Sequence, residues 1–495
     1  MLFNSLQYLW FFPLVVAIHF ALPPKRRWVF LLAASYYFYM CWKPEYIVLI
    51  LVSTLIDYVA GLRMGNEPVK AKRRKYLVLS LISNLGLLFA FKYFNFFSDS
   101  SRAILSQFNI FYDSPVLEVL LPVGISFYTF QTLSYTISVY RGTHPPERHL
   151  GIFALYVSFF PQLVAGPIER SENLLPQFAR THRFEYERVR RGLQLVVWGM
   201  FKKVVIADRV SILVDTVYND PHSFGSPQHV VATVFFAFQI YCDFSGYSDI
   251  AIGSADILGF KLMRNFNRPY FSKSITEFWS RWHISLSTWF RDYLYIPLGG
   301  NRVGRPRWYV NLFTTFLVSG LWHGANWTFV IWGALNGVYL IAETFTARLR
   351  VRVAASFGLD ESRWAYKIPA VAWTFALTCF AWIFFRANSV DDAFFIAGGI
   401  PEGITQIVRS VLSFDLVGIE LIVRGLGLSQ RELLIAIGAI GAMECVHIMQ
   451  RRPDLRGRMA SWPRPVRWAL YYAAVAGTLF FGSFNQGQQF IYFQF

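Results

Sequence analysis

The chain has 495 residues, 55% hydrophobic and 16% charged, a balance that excludes an ordinary soluble domain and fits an integral membrane protein. Its formal charge of +17 points to basic cytoplasmic loops, which could also serve an anionic cytoplasmic substrate, rather than to nucleic-acid binding. Cys41, Cys242, Cys379 and Cys445 are widely spaced and form no CxxC pattern, so neither a metal centre nor a disulfide framework is implied.

A spanning helix needs roughly 20 apolar residues. The first candidate, 3–22, carries its basic cluster (Lys25, Arg26, Arg27) after the apolar run, so it is predicted to be an uncleaved helix with the N-terminus outside. Further spans are predicted at 28–42, 46–62, 76–97, 119–140, 193–218, 229–260, 309–323, 327–346, 368–386, 431–449 and 468–484. Lysine and arginine follow that alternation. Arg63 with "KAKRRK" (Lys70 to Lys75), Arg141, Lys261, Arg264, Lys273, Arg302 and Arg348 fall inside, whereas Asp99, Asp113 and Glu118 fall outside. Both termini are therefore expected outside. No tandem repeat or soluble-sized insertion interrupts the chain, which reads as a single membrane domain, 1–495.

Two apolar segments resist this count. "GIFALYVSFFPQLVAGPI" (Gly151 to Ile168) contains Pro161, Gly166 and Pro167, which break helices. "ITEFWSRWHISLSTWFRDYLYIPLGG" (Ile275 to Gly300) is too polar for bare lipid and too aromatic for a solvated loop. Both read as re-entrant or interfacial segments, tolerated at depth only where protein or a cavity surrounds them.

Of the nine histidines, His144, His149, His182, His222 and His229 lie in polar loops, and His19 and His447 near span ends. His283 and His323 are each embedded in an aromatic, otherwise apolar segment, where an imidazole loses hydration. In "FWSRWHISLSTWFRD" a helical stripe collects Trp279, Trp282 or His283, Leu286 and Trp289 or Phe290, with Arg281, Ser285 and Arg291 largely elsewhere. From the residues alone each histidine is either a satisfied core group or a base. Asp243 and Asp249, ionisable at membrane depth, either orient a histidine and line a tunnel or pin helices together.

"RPYFSKSITEFWSRWHISLSTWFRDYLYIPLGGNR" (Arg268 to Arg302) followed by "GLWHGANWTFVIWG" (Gly320 to Gly333) resembles the signature of the membrane-bound O-acyltransferases, in the bacterial branch of alginate O-acetylation. "LLPVGISFYTFQTLSYTISVYRG" (Leu120 to Gly142), "FFPQLVAGPI" (Phe159 to Ile168), "YCDFSGYSDIAIG" (Tyr241 to Gly253) and the terminal "FIYFQF" (Phe490 to Phe495) extend the likeness, which thins between 387 and 465. The resemblance implies an all-α polytopic membrane protein, with about 11–13 transmembrane helices and re-entrant helices around a central tunnel. It places a signature core at about 119–346 and an aromatic tail at 485–495.

It further implies that His323 is the essential membrane-embedded histidine and His283 the second, cytoplasm-facing one, with Trp322 and Asn326 as tunnel or orienting residues. A neutral imidazole at 323 takes a proton from an acceptor hydroxyl. No cofactor is held permanently and no metal is expected. The donor is a cytoplasmic thioester, acetyl-CoA or an acyl carrier protein, whose phosphates Lys273, Arg281, Arg291 or Arg302 could pair. The tail is either an interfacial aromatic belt or a funnel in which Tyr492 accepts the acyl group before a periplasmic SGNH-type partner. The expected setting is the bacterial inner membrane and the expected reaction O-acetylation of an exported polysaccharide such as alginate. The alternatives are a transporter of an acylated or anionic small molecule, or acylation of a lipid or other cell-wall acceptor.

Overall fold

The computed structural model describes residues 1–495 apart from 111–115, 118–121, 123, 165, 359, 361–362, 452–456, 458–460, 485–489 and 492–495. Among the described residues all regular structure is helical, as a polytopic membrane protein of this type requires, because hydrocarbon leaves each backbone N–H and C=O to be bonded within its own segment. Every predicted span meets a helix. Six are long and apolar enough to cross a membrane: Pro44–Asn66, Lys70–Ser106, Ser226–Leu258, Trp327–Ser356, Trp364–Arg386 and Gln430–Met449, with Leu6–Ala21 a shorter apolar helix. Others fall short for visible reasons. Pro24–Met40 begins with Lys25, Arg26 and Arg27, Ile125–Arg141 has 17 residues, and Arg305–His323 opens on two arginines.

The chain forms two compact units, one of Met1–Val196 with Tyr247–Arg264, the other of Val197–Gly246 with Asn265–Phe495. In the first, the buried Asp57 carboxylate accepts from Ser80 Oγ at 2.6 Å and from Asn84 Nδ2 at 2.9 Å, while Asn84 Oδ1 accepts from Ser53 Oγ at 2.9 Å and Thr132 Oγ1 at 3.2 Å. One carboxylate thereby knits the helices Ile47–Asn66, Lys70–Leu88 and Ile125–Arg141 together. The segment 151–168 is broken as predicted. Leu150–Ser158 ends at Phe159, and Pro161 occupies the first turn of Phe160–Leu163, where its missing N–H costs no helical hydrogen bond.

In the second unit the helices Arg305–His323 and Trp327–Ser356 form a hairpin whose axes approach at a pair of glycines. A methyl group on Gly320 would stand 3.0 Å from Gly333 Cα and collide with the Phe329 carbonyl; one on Gly333 would collide with the Phe316 carbonyl. Only hydrogen fits, and packing of small residues is what lets membrane helices approach closely. This crossing lies one turn before His323 and sets where that side chain emerges. Gly333→Ala should therefore lower stability by about 1–3 kcal/mol, read as the unfolding midpoint of detergent-purified protein. Gly438→Ala, on a helix where an added methyl group meets nothing within 4 Å, should not.

Candidate active site

His283 lies between two seven-residue helices, Ile275–Arg281 and Ile284–Phe290, each far too short to cross a bilayer. The predicted continuous stripe is interrupted here, because His283 adopts a left-handed conformation, φ 42° and ψ 55°. Such a backbone costs a non-glycine residue roughly 1–2 kcal/mol and persists only where its surroundings over-determine it. They do so through the segment 265–267. Asn267 N–H donates to the Arg281 carbonyl and Ile284 N–H to the Asn265 carbonyl, both at 2.9 Å. Ser285, placed off the stripe by its spacing, is instead buried and donates from Oγ to Asn265 Oδ1 at 2.6 Å. A zipper on both sides of residue 283 thus aims its ring.

The ring is 1% exposed and stands edge-on to Phe244 at 4.5 Å between centroids. Burial pushes its pKa down to about 3, so the imidazole is neutral at physiological pH.

His323 ends the helix Arg305–His323. Its ring, 4% exposed, packs edge-on against Trp322 at 4.9 Å, Trp332 at 5.0 Å and Phe385 at 5.3 Å. Trp322 also lies 6.3 Å from His283. One indole therefore separates the two imidazoles. The other way round, Trp332 stacks on Trp382 at 5.8 Å, and Trp382 meets Trp282 at 5.1 Å, the residue before His283. The histidines are members of one aromatic circuit: His283, Trp322, His323, Trp332, Trp382, Trp282. Trp332, Trp382 and Phe385 were not singled out from sequence; tryptophans are common in apolar helices and only their convergence distinguishes these.

The remaining candidates sort by their contacts. Asn326 caps the helix Trp327–Ser356, accepting from Thr328 N–H at 3.0 Å and donating to the Asn388 carbonyl at 3.4 Å. Arg281 pairs with Glu277, and Arg291 with Asp292 at 2.8 Å. Lys273 is half-buried two residues before the helix Ile275–Arg281, its backbone N–H donating to Glu277 Oε2 at 2.7 Å, and Arg302 is exposed. Asp243 is buried against Lys203, 2.6 Å away, and accepts from Ile491 N–H at 2.7 Å. It pins distant segments. Asp249, half-buried, belongs to the first unit. Tyr492 lies outside the described residues.

Several of the other histidines have structural partners. His149 Nδ1 caps a helix at Ile152 N–H, and His229 Nε2 bonds the Pro221 carbonyl at 2.9 Å. His229, taken for a loop residue, is buried in the first turn of the helix Ser226–Leu258. Sequence reasoning also passed over Lys203, though a lysine inside a predicted span is itself a functional signal.

Residues 33–387 match the family described as MBOAT, the membrane-bound O-acyltransferases. The chain belongs to this family. Both site histidines fall within the matched residues. The chain is 43% identical over 400 residues, 79% of its length and 76% of the relative's, to the probable alginate O-acetylase AlgI of Azotobacter vinelandii. It is 36% identical to the peptidoglycan O-acetyltransferase of Helicobacter pylori (75% and 73% covered) and 30% identical to the teichoic acid D-alanyltransferase of Streptococcus thermophilus (56% and 68% covered). The protein is thus a multi-pass membrane O-acyltransferase with two buried histidines in an aromatic frame.

The left-handed backbone at 283 separates side-chain from main-chain effects. His283→Gly and His283→Ala both remove the imidazole, but the glycine variant should be the more stable by about 1 kcal/mol, measured as the difference in thermal midpoint.

Proposed function

We propose that this O-acyltransferase takes an acetyl group from a cytoplasmic thioester and delivers it across the bacterial inner membrane for O-acetylation of an exported polysaccharide such as alginate. The observation that carries this reading is the placement of His323 in the aromatic circuit, one indole from His283, within a chain whose relatives include O-acetylases. A neutral imidazole can take a proton from an acceptor hydroxyl, and a water-poor frame keeps solvent from competing for the reacting groups. His323 removes the hydroxyl proton and the oxygen attacks the thioester carbonyl. The C–S bond breaks, and the thiolate leaves with the proton the imidazolium returns. His283, held by its zipper, orients the donor arm.

The donor, acetyl-CoA or an acyl carrier protein, presents phosphate on the cytoplasmic side. Lys273 and Arg302 bind it there, and Arg281 and Arg291 join by exchanging Glu277 and Asp292 for phosphate oxygens, as guanidinium forks readily do. Trp322 and Asn326 shape the path to His323. Both termini lie on the periplasmic side. Tyr492 takes the acyl group as an ester and hands it to a periplasmic SGNH-type acetyltransferase. Three supports bear on this arrangement: the basic and acidic loops alternate along the chain, the arginines flank the short helices around His283, and residues 490 and 491 are fully buried.

His323→Ala should reduce thioester consumption by purified protein on the order of 100- to 10,000-fold with membrane insertion unchanged. A wild-type protein that consumes no thioester yet moves an anionic solute would be a transporter, and the acyltransfer scheme would be abandoned. Tyr492→Phe should abolish an acyl-tyrosine detectable by mass spectrometry; full polysaccharide acetylation by that variant would remove Tyr492 from the route.

A further inference from the structure

The second unit holds a buried charge cluster that the transfer chemistry does not use. Lys203, 1% exposed, sits in a π-helical turn, Phe201–Ala207, and its ammonium lies 2.7 Å from Asp208 Oδ1 and 2.6 Å from Asp243 Oδ1. Two carboxylates share one cation. The ammonium and one carboxylate would already form a neutral pair, so the second carboxylate is costly to bury unless another donor reaches it. That donor is the backbone N–H of Ile491, 2.7 Å from Asp243 Oδ2, a charge-assisted bond across 248 residues of sequence.

Two further ties bring the C-terminal segment to the same place. Ser483 N–H donates to the Val204 carbonyl within the π turn at 2.8 Å, and Arg209 Nη2 donates to the Phe481 carbonyl at 2.7 Å. Residues 490 and 491 are linked in turn to the aromatic surroundings of His283. Phe490 and Ile491 are fully buried, Phe490 packs on Phe244 at 5.8 Å, and Phe244 carries the His283 ring at 4.5 Å. Asp243 and Phe244 are neighbours in one helix. The residue that grips the tail and the residue that links it to the histidine are thus one peptide unit apart.

We propose that Lys203, Asp208 and Asp243 form a latch that holds the C-terminal tail against the site, and that Asp243 is a positioning residue for acyl transfer. The inference rests on the acyl-transfer reading above. Lys203 fixes Asp243 in one orientation, the Asp243 carboxylate accepts the Ile491 N–H, and the backbone at 490–491 is set relative to His283. Pi-helical turns recur at functional sites because they rotate side chains out of the regular helical pattern. Here the turn delivers the ammonium to Asp243 and the Val204 carbonyl to the Ser483 N–H.

The test uses two changes that spare the Lys203–Asp208 pair. Asp243→Asn leaves that pair neutral and removes the charge that grips the tail; Ile491→Pro removes the N–H. On the full chain in detergent, hydrogen–deuterium exchange of the Ile491 amide should speed up by roughly tenfold or more in Asp243→Asn. Either variant should lower kcat for acyl transfer about tenfold with the donor KM unchanged. The double variant should lose no more than either single one, because both delete the same interaction. Unchanged exchange at Ile491 overturns the latch; unchanged kcat with a released tail, or losses that multiply in the double variant, overturns its role in positioning. A wild-type protein that consumes no thioester sinks the acyl-transfer reading instead, and the exchange measurement then still decides whether Asp243 holds the tail.

Discussion

A polar group drawn away from water in this chain has to find its partner inside the protein, and the irregular backbone at His283 answers that demand. The helix that would have run through 275–290 breaks at His283, and the backbone groups so freed are taken up by Asn265 and Asn267. The price of a left-handed histidine is met by those bonds and by the Ser285 hydroxyl. Irregular backbone of this kind survives at depth only when protein supplies both donor and acceptor.

The same demand shapes the surroundings of the two imidazoles. Aromatic rings offer them edges and faces in place of water, and T-shaped contacts let a polar ring sit among indoles without giving up favourable electrostatics. Side chains on separate helices build the circuit that carries both histidines. The glycine crossing of Arg305–His323 with Trp327–Ser356 matters for the same reason: Trp332 reaches His323 only because the two backbones approach so closely.

Charges follow a related rule with a different outcome. In the first unit a single carboxylate, Asp57, is satisfied by serine and asparagine side chains and serves as a knot between helices. In the second, two carboxylates meet Lys203, and one of them also accepts a main-chain N–H from near the far end of the chain. The first arrangement is self-contained, whereas the second ties residue 491 to a helix that also carries a ring contact of His283. Residue 491 lies outside the residues matched to the family, while all three charged residues lie within them.

Much of this molecule was legible in its sequence, because hydrophobic run length and proline placement report local properties of the chain. The membrane class, the helix at each predicted span, the break near Phe159 and the singular settings of His283 and His323 all follow from what a short stretch of polymer can do in lipid. The aromatic circuit, the left-handed turn at 283, the capping role of Asn326 and the partner of Asp243 did not. Each depends on a residue from another element, in the case of Ile491 one 248 positions away. Periodicity reveals that a side chain is buried, but not which distant element supplies its partner; chain folding alone decided that.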